Sequence, residues 1–215
     1  SRKPGETSTL IMDEETPQNL DSPTEEITIF PMSDLFGKWS LQDIEYADVG
    51  LQRYIVLRPY SDSRGKHSAK QFQKSEISSL ERLVNRIMSP GKNSGKKQKA
   101  SQILRESFDL IHKKTEENPV QIFVRAIENS APREETVRLK YGGVSVPKAV
   151  DVSPQRRVDL AIKFLAEGTK TASFKKKTSA HQALATQLIG AAEYDASTYA
   201  IRHKEEKERV AAAAR

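Results

Sequence analysis

The chain is predicted to be mainly α, a single bundle of five to six helices with a protruding two-stranded β-hairpin, on three observations. Apolar residues recur at helical spacing through most of residues 76–194. Cap and stop residues bound most of the candidate helices. Between residues 132 and 157, PREETVRLKYGGVSVPKAVDVSPQRR, the helical period gives way to a strand period and then returns.

In chain order, residues 1–35 are acidic, contain Pro and Thr, and lack periodicity, so they read as a largely disordered arm. Ile27-Thr28-Ile29-Phe30 is the exception, a short apolar patch suited to docking on a neighbour. Residues 36–75 read as a partly ordered extension. It holds the chain's only tryptophan, Trp39, the β-prone run Tyr54-Ile55-Val56-Leu57, and an irregular basic link from 58 to 74. That link carries Arg58, Arg64, Lys66, His67, Lys70 and Lys74 with Tyr60 and Phe72 interleaved.

The helical body is expected from about Ser75. Ile77, Leu80, Val84, Ile87 and Met88 fall at helical spacing, and Ser89-Pro90-Gly91 stops the helix. A second helix, about 98–117, should bury Ala100, Ile103, Leu104, Ser107, Phe108 and Ile111. Asn118 can cap a third with Pro119 at its first position, because the missing proline N–H is one a helix start leaves unpaired anyway. Its inner stripe is Val120, Phe123, Val124 and Ile127. Ser153-Pro154 repeats the signal for a fourth helix, with Val158, Ala161, Ile162 and Leu165 inward and Gly168 as its end. A fifth, about 179–194, centres on Leu184, Ala185, Leu188 and Ala192. Residues 195–215 are helix-prone without an apolar stripe, so they should be exposed or bound to a partner.

Between the third and fourth helices, about 134–152, lies the hairpin. Val137, Leu139 and Tyr141 alternate with Arg138 and Lys140, and Gly142-Gly143 supplies a two-residue turn. Val144, Val146, Lys148, Val150 and Val152 share one face of the return strand. Pro147 cannot donate to a ladder, which suits a ribbon in which both strands are edges. A lone hairpin is marginal in water. A basic one on a helical body is most useful as a finger against something anionic.

Charge supports that use. The chain has 35 Lys and Arg against 29 Asp and Glu, net +6, yet residues 1–35 hold two basic and eight acidic residues, leaving +12 on residues 36–215. Such a surface attracts polyanions. Zero cysteines exclude disulfides, a cysteine nucleophile and a thiolate zinc site. The sequence contains no apolar run of transmembrane length, and its start does not read as a secretory signal. A hydrophobic fraction of 36% fills one modest core.

Catalytic patterns do not assemble. GKNSGKK, residues 91–97, has three residues between Gly91 and Gly95 where a phosphate-cradling loop needs four, and Lys97 stands where Ser or Thr should hold a metal. His67, His112, His181 and His203 make no ligand pair at helical or strand spacing. No enzyme, cofactor, metal site or small-molecule substrate is expected.

The basic features instead reinforce one another. Arg64 and Lys66 lie in the link. Lys92, Lys96, Lys97 and Lys99 flank the start of the second helix, where free amides also favour phosphate. Arg133 precedes the hairpin, whose surface carries Arg138, Lys140 and Lys148 around the tip Tyr141-Gly142-Gly143. Arg156 and Arg157 sit in the first turn of the fourth helix, and Lys175-Lys176-Lys177 precede the fifth. Together they suggest a surface that contacts RNA backbone, with shape setting specificity. The rival from another class is a helical DNA- or RNA-binding regulator with a β-wing. It would need a base-reading recognition helix and, as a dimer, a self-pairing seam; none stands out.

LVNRIMSPGKNSGKKQKA, then NPVQIFVRAIENSAPREETVRLKYGGVSVPKAVDVSPQRR, and the helical remainder to about Tyr194 resemble the universal small-subunit ribosomal protein seven family. The Pro-Arg-Glu, Gly-Gly and Val-Ser-Pro-x-Arg-Arg markers around one hairpin are specific as a set. Residues 36–76 look like the eukaryotic or archaeal version, and the resemblance is assigned to the eukaryotic cytosolic form, called protein five in the older numbering. It implies that residues 76–194 bind the 3′ major (head) domain of small-subunit rRNA and help nucleate the head. It further implies that the hairpin lies near exit-site tRNA and the mRNA exit channel, beside the platform protein eleven. A cytoplasmic, ribosomal location with nucleolar passage during assembly follows from the same resemblance.

Overall fold

The computed structural model describes residues 34–59, 62–63, 67, 69–89 and 91–215, the Lys92 side chain excepted. The acidic arm up to residue 33, the Ile27–Phe30 patch, Tyr60, Arg64 and Lys66 lie outside the described residues.

The extension begins with a minimal antiparallel pair, β1 (Asp34–Leu35) and β2 (Trp39–Ser40), around a turn with Phe36 and Gly37 in the left-handed region. A single turn of helix, α1 (Val49–Gln52), follows, with the Asp48 side chain accepting from the Gly50 N–H. Leu35, Leu51 and Ile55 are fully or almost fully buried, so this extension supplies core. The β-prone run 54–57 forms no strand. Its backbone meets a helix start instead, the Val56 carbonyl accepting from the Ser79 N–H at 2.7 Å.

Six helices of ten residues or more follow among the described residues: α2 (Ser79–Met88), α3 (Lys97–Thr115), α4 (Pro119–Ser130), α5 (Pro154–Ser173), α6 (Ala180–Ala192) and α7 (Tyr199–Ala213). The first expected helix starts later than Ser75 because residues 73–76 form a separate 3₁₀ turn and Ile77 is extended. α3 buries all six residues of its expected stripe. α4 is capped as its sequence predicts, with Asn118 Oδ1 accepting from the Val120 N–H at 3.0 Å and Pro119 in the first turn. Asn118 also donates to the Ser40 carbonyl, tying this cap to the extension. With Val120, Phe123, Val124, Ala126 and Ile127 all at 0% exposure, α4 is the buried centre of the bundle.

Gly168 does not end its helix; α5 runs five residues further, to Ser173. A Cβ at 168 would stand 2.5 Å from Gln187 Oε1 on α6 and 2.9 Å from Tyr199 Cβ on α7. The glycine therefore serves close approach of three helices rather than termination. α7 likewise departs from expectation. Ala200, Ile201 and Ala211 are buried on a helix that packs against α4, α5, α6 and the hairpin, while charged residues fill the outer face. Three apolar residues, two of them alanines, escape a stripe search, yet they suffice for a helix held by its neighbours along a narrow face.

The hairpin comprises β3 (Glu134–Tyr141) and β4 (Val144–Asp151), paired from Glu134↔Asp151 to Tyr141↔Val144. Gly142 and Gly143 both have positive φ, which the tight turn requires. The register puts Glu135, Val137, Leu139 and Tyr141 on one face with Val150, Lys148, Val146 and Val144. Arg138 and Lys140 stand on the other.

Candidate nucleic-acid interface

An open cleft of about 600 Å³ runs between α2 and α5 at the foot of the hairpin. Among the described residues five cations line it: Lys74, Arg82 and Arg86 from α2 and the turn before it, and Arg156 and Lys163 from α5. Asn85 and Gln155 add neutral hydrogen-bonding groups. The α5 N-terminus opens here, and no Ser153 side-chain cap occupies its first amides. Free amides, the helix dipole and fixed cations together make a surface suited to phosphate.

The cations are held in place before any ligand arrives. Arg82, whose side chain is 4% exposed, donates to Asp159 at 2.7 Å and to the Tyr54 carbonyl at 3.4 Å. Lys74 reaches the same Asp159 oxygen at 2.7 Å. Burial disfavours the Asp159 anion, but hydrogen bonds from Lys74 and Arg82 outweigh it and hold its pKa below the usual carboxylate value. Arg86 and Lys163 flank Glu167 at 3.5 and 3.9 Å. Arg156 forms a two-toothed bond to Glu135 of β3, Nε to Oε2 at 2.7 Å and Nη2 to Oε1 at 3.0 Å. Lys207 of α7 completes the set at 2.8 Å. The Arg156 fork, opposed by burial and aided by Lys207, pulls Glu135 down to about 2.

Among the residues expected from sequence to bind rRNA, the structure separates three groups. Among the described residues, Arg156 alone of them lines the cleft. Lys97 and Arg157 are committed inside the protein. Lys97 lies 2.8 Å from both Asp62 and Glu81, and the Glu81 side chain is only 3% exposed. Hydrogen bonds to these two carboxylates outweigh desolvation and raise the Lys97 pKa. Its first duty is thus to neutralise a buried carboxylate and tie α3 to α2. Arg157, one residue and about 100° around the helix from Arg156, turns out of the cleft and binds Asp48 at 2.9 Å.

The third group is exposed but dispersed. Lys96 and Lys99 stand at the start of α3. Arg133 is exposed beside the hairpin base, its N–H donating to Glu208 at 2.8 Å. Lys175, Lys176 and Lys177 are exposed past the far end of α5, roughly 30 Å along the helix from Arg156. On the hairpin, Arg138, Lys140, Tyr141, Gly142, Gly143 and Lys148 are all exposed. Lys148 shares the Tyr141 face, across the ribbon from Arg138 and Lys140.

Sequence reasoning missed most of the cleft. Arg82 and Arg86 are four apart on α2, and Arg156, Asp159 and Lys163 step by three and four along α5. That spacing makes two polar stripes that face each other once the helices pack. A search for runs of adjacent basic residues passes over such stripes. The histidines are distributed: His67 bonds Ser63, His112 packs edge-on against Trp39, His181 pairs with Glu106, and His203 lies between Phe164 and Tyr199. Among the described residues no cluster suits a metal ion, and no helix is long and apolar enough to cross a membrane.

Comparison with known proteins gives this arrangement a family. Residues 52–215 match the family model described as ribosomal protein S7p/S5e. The small ribosomal subunit protein uS7 of Halococcus morrhuae is 64% identical over 181 residues, 84% of this chain and 89% of its own length. Its namesake from Haloarcula marismortui is 59% identical over 203 residues, 94% of this chain and 98% of its own. That of Methanothermobacter thermautotrophicus is 49% identical over 187 residues, covering 85% of this chain and all of its own length. These relatives are archaeal, where the sequence alone had suggested the eukaryotic form of the same family. A buried helical centre, a basic cleft and a hairpin rooted beside it are thus the fold of a chain that belongs to the ribosomal protein S7p/S5e family.

Proposed function

We propose that this chain is a structural constituent of the small ribosomal subunit, without enzymatic activity, that binds the 3′ major domain of small-subunit rRNA and helps nucleate the head. The observation that carries the reading is the α2–α5 cleft, lined by five cations among the described residues and opening beside a helix N-terminus at the foot of a basic hairpin. Phosphate contacts of this kind position a protein on RNA without reading sequence. Lys96, Lys99 and Lys175–Lys177 extend the contact as outlying points, and Arg133 serves at the hairpin base. Arg64, Lys66 and Lys92 are proposed as further contacts from the sequence alone. The hairpin, with Arg138, Lys140, Tyr141 and Lys148, projects toward exit-site tRNA and mRNA and approaches the platform protein eleven. The acidic arm is proposed to meet a basic neighbouring protein. Because the relatives are archaeal, nucleolar passage is not carried into the proposal.

Replacing Arg86 and Lys163 together by alanine tests the cleft. Neither side chain is buried, so the fold should survive. Affinity for a head-domain rRNA fragment should fall about tenfold, and the log–log salt slope should shrink by somewhat less than 0.9 per lost duplex phosphate contact, roughly 1–2 in all. An unchanged slope would remove the cleft from the interface.

A further inference from the structure

Glu135 presents a paradox on a surface meant for phosphate. It is a carboxylate on the second residue of β3, at the base of the hairpin, its side chain 16% exposed, placed directly against the cleft cation Arg156. As a bare negative charge it would weaken RNA binding. Its geometry indicates a different role. A guanidinium has five N–H donors, and Glu135 takes only two, along the Nε–Nη2 edge. Three donors remain, on a side chain that is 57% exposed and lines the cleft. The carboxylate thus fixes the plane of the fork while leaving its other edge for an incoming anion.

The same carboxylate binds Lys207 of α7. Around it, α7 and the two residues after it grip the hairpin and its approach at three more points: Glu208 accepts from the Arg133 N–H, Arg215 pairs with Glu134, and the Ala214 carbonyl accepts from the Ala149 N–H. Glu135 is where the cleft, the hairpin and the C-terminal helix meet through one side chain.

We propose that Glu135 is a positioning residue for RNA-phosphate capture, holding the Arg156 fork in its binding orientation and locking the hairpin's angle to the cleft through Lys207. The inference rests on the cleft being the rRNA contact. Preorganised forks bind phosphate better because little side-chain freedom is left to lose on contact. Capture of phosphate by Arg156 then reinforces the hairpin's placement, and a correctly placed hairpin reinforces capture, as linkage requires.

The test turns on a sign. In the full chain, E135Q removes one negative charge from the interface, so an electrostatic role predicts tighter binding to head-domain rRNA. A positioning role predicts binding about fivefold weaker. E134Q makes the same charge change beside it, where the partner is Arg215, and should bind at least as tightly as the wild type. R156K keeps the charge but loses the fork; adding E135Q to R156K should cost clearly less than E135Q costs alone, since only the Lys207 contact is left to weaken. E135Q binding as tightly as the wild type or tighter, or losses that simply add in the double variant, would overturn the proposal.

Should E135Q also unfold more easily, the Arg156 Nε–H resonance of the wild-type protein decides. It should stay slow to exchange with solvent both free and RNA-bound; release on RNA binding would make Glu135 a competitor and overturn the positioning role. Wild-type protein that fails to bind rRNA at all would overturn the functional reading and this inference together. Binding by the wild type with E135Q unaffected overturns this inference alone.

Discussion

Arg82 at the bottom of the cleft and Lys140 near the hairpin tip carry the same charge and are held in opposite ways. Arg82 is nearly buried, bound to a carboxylate and a carbonyl, and flanked by helices that cannot move without disturbing the core. Lys140 is exposed on a two-stranded ribbon whose opposite face shows Val137, Tyr141, Val144 and Val146 to solvent. The cleft is a rigid surface with its ordering entropy already spent in folding. The hairpin is anchored only at its base, by α7 and the turn into α5, and gains little from the core. One region suits fixed recognition of a backbone; the other suits a projecting element whose position depends on what grips its root.

The comparison breaks if the frame of the cleft proves soft. Replacing Lys97 by alanine leaves Glu81 buried with the Ser63 N–H as its remaining hydrogen-bond partner among the described residues. Losing one member of a buried pair is costly, and with Lys97 partly exposed the expected loss is about 2–3 kcal/mol of unfolding free energy. Denaturant titration of the full chain checks this. A change within about 0.5 kcal/mol would mean that Lys97 is a surface cation and free for RNA after all.

A smaller effect is expected at the junction that carries α7. Adding a methyl at Gly168 removes a helix-interior glycine, a gain of about 0.5–1 kcal/mol, but meets Tyr199 Cβ at 2.9 Å. Overpacking of this kind typically costs about 1–3 kcal/mol, so Gly168→Ala should be net destabilising by about 1 kcal/mol. A stabilised G168A would show that α7 can shift freely and that the hairpin's support is weak.

Acid should act on the hairpin root selectively. Glu135 titrates at about 2 in the folded protein against an ordinary 4.5, chiefly through the Arg156 bond. A depressed carboxylate contributes stability that is fully present above its unfolded value and is lost as pH falls through its folded one. The stability difference between wild type and E135Q should therefore be constant above about pH 5 and shrink between pH 4.5 and 2. A difference that persists undiminished at pH 2 would show that Glu135 contributes by packing rather than by charge.

The smallest effect on the body should come from the tip itself. Replacing residues 138–147 with a short glycine bridge leaves every helical contact in place, so the unfolding temperature should move by no more than about 2 °C. Affinity for head-domain rRNA should change less than for the cleft variant, while frameshifting in reconstituted ribosomes rises. Loss of thermal stability with unchanged fidelity would make the hairpin a flap of the core instead.

What the sequence determined alone is what neighbours in the chain decide between themselves. The α3 stripe, the Asn118-Pro119 start of α4 and the Gly142-Gly143 turn depend on local dihedrals and on which face is apolar, and all three were legible before any packing was known. The markers around the hairpin were specific enough to name the family. Tertiary structure decided everything that required a partner distant in sequence. Val56 gave its carbonyl to a helix start rather than a strand, and Gly168 became a point of contact rather than an end. α7 found its narrow apolar seat against α4, α5, α6 and the hairpin. Lys97 and Arg157 turned inward to carboxylates from other elements, Asp48 lying more than a hundred residues before Arg157. Charge is visible in a sequence, but whether a cation meets water, a buried carboxylate or a ligand is settled by which surfaces pack together. That is why Arg86 and Lys163 join Arg156 in a cleft that the Arg156-Arg157 pair by itself did not announce.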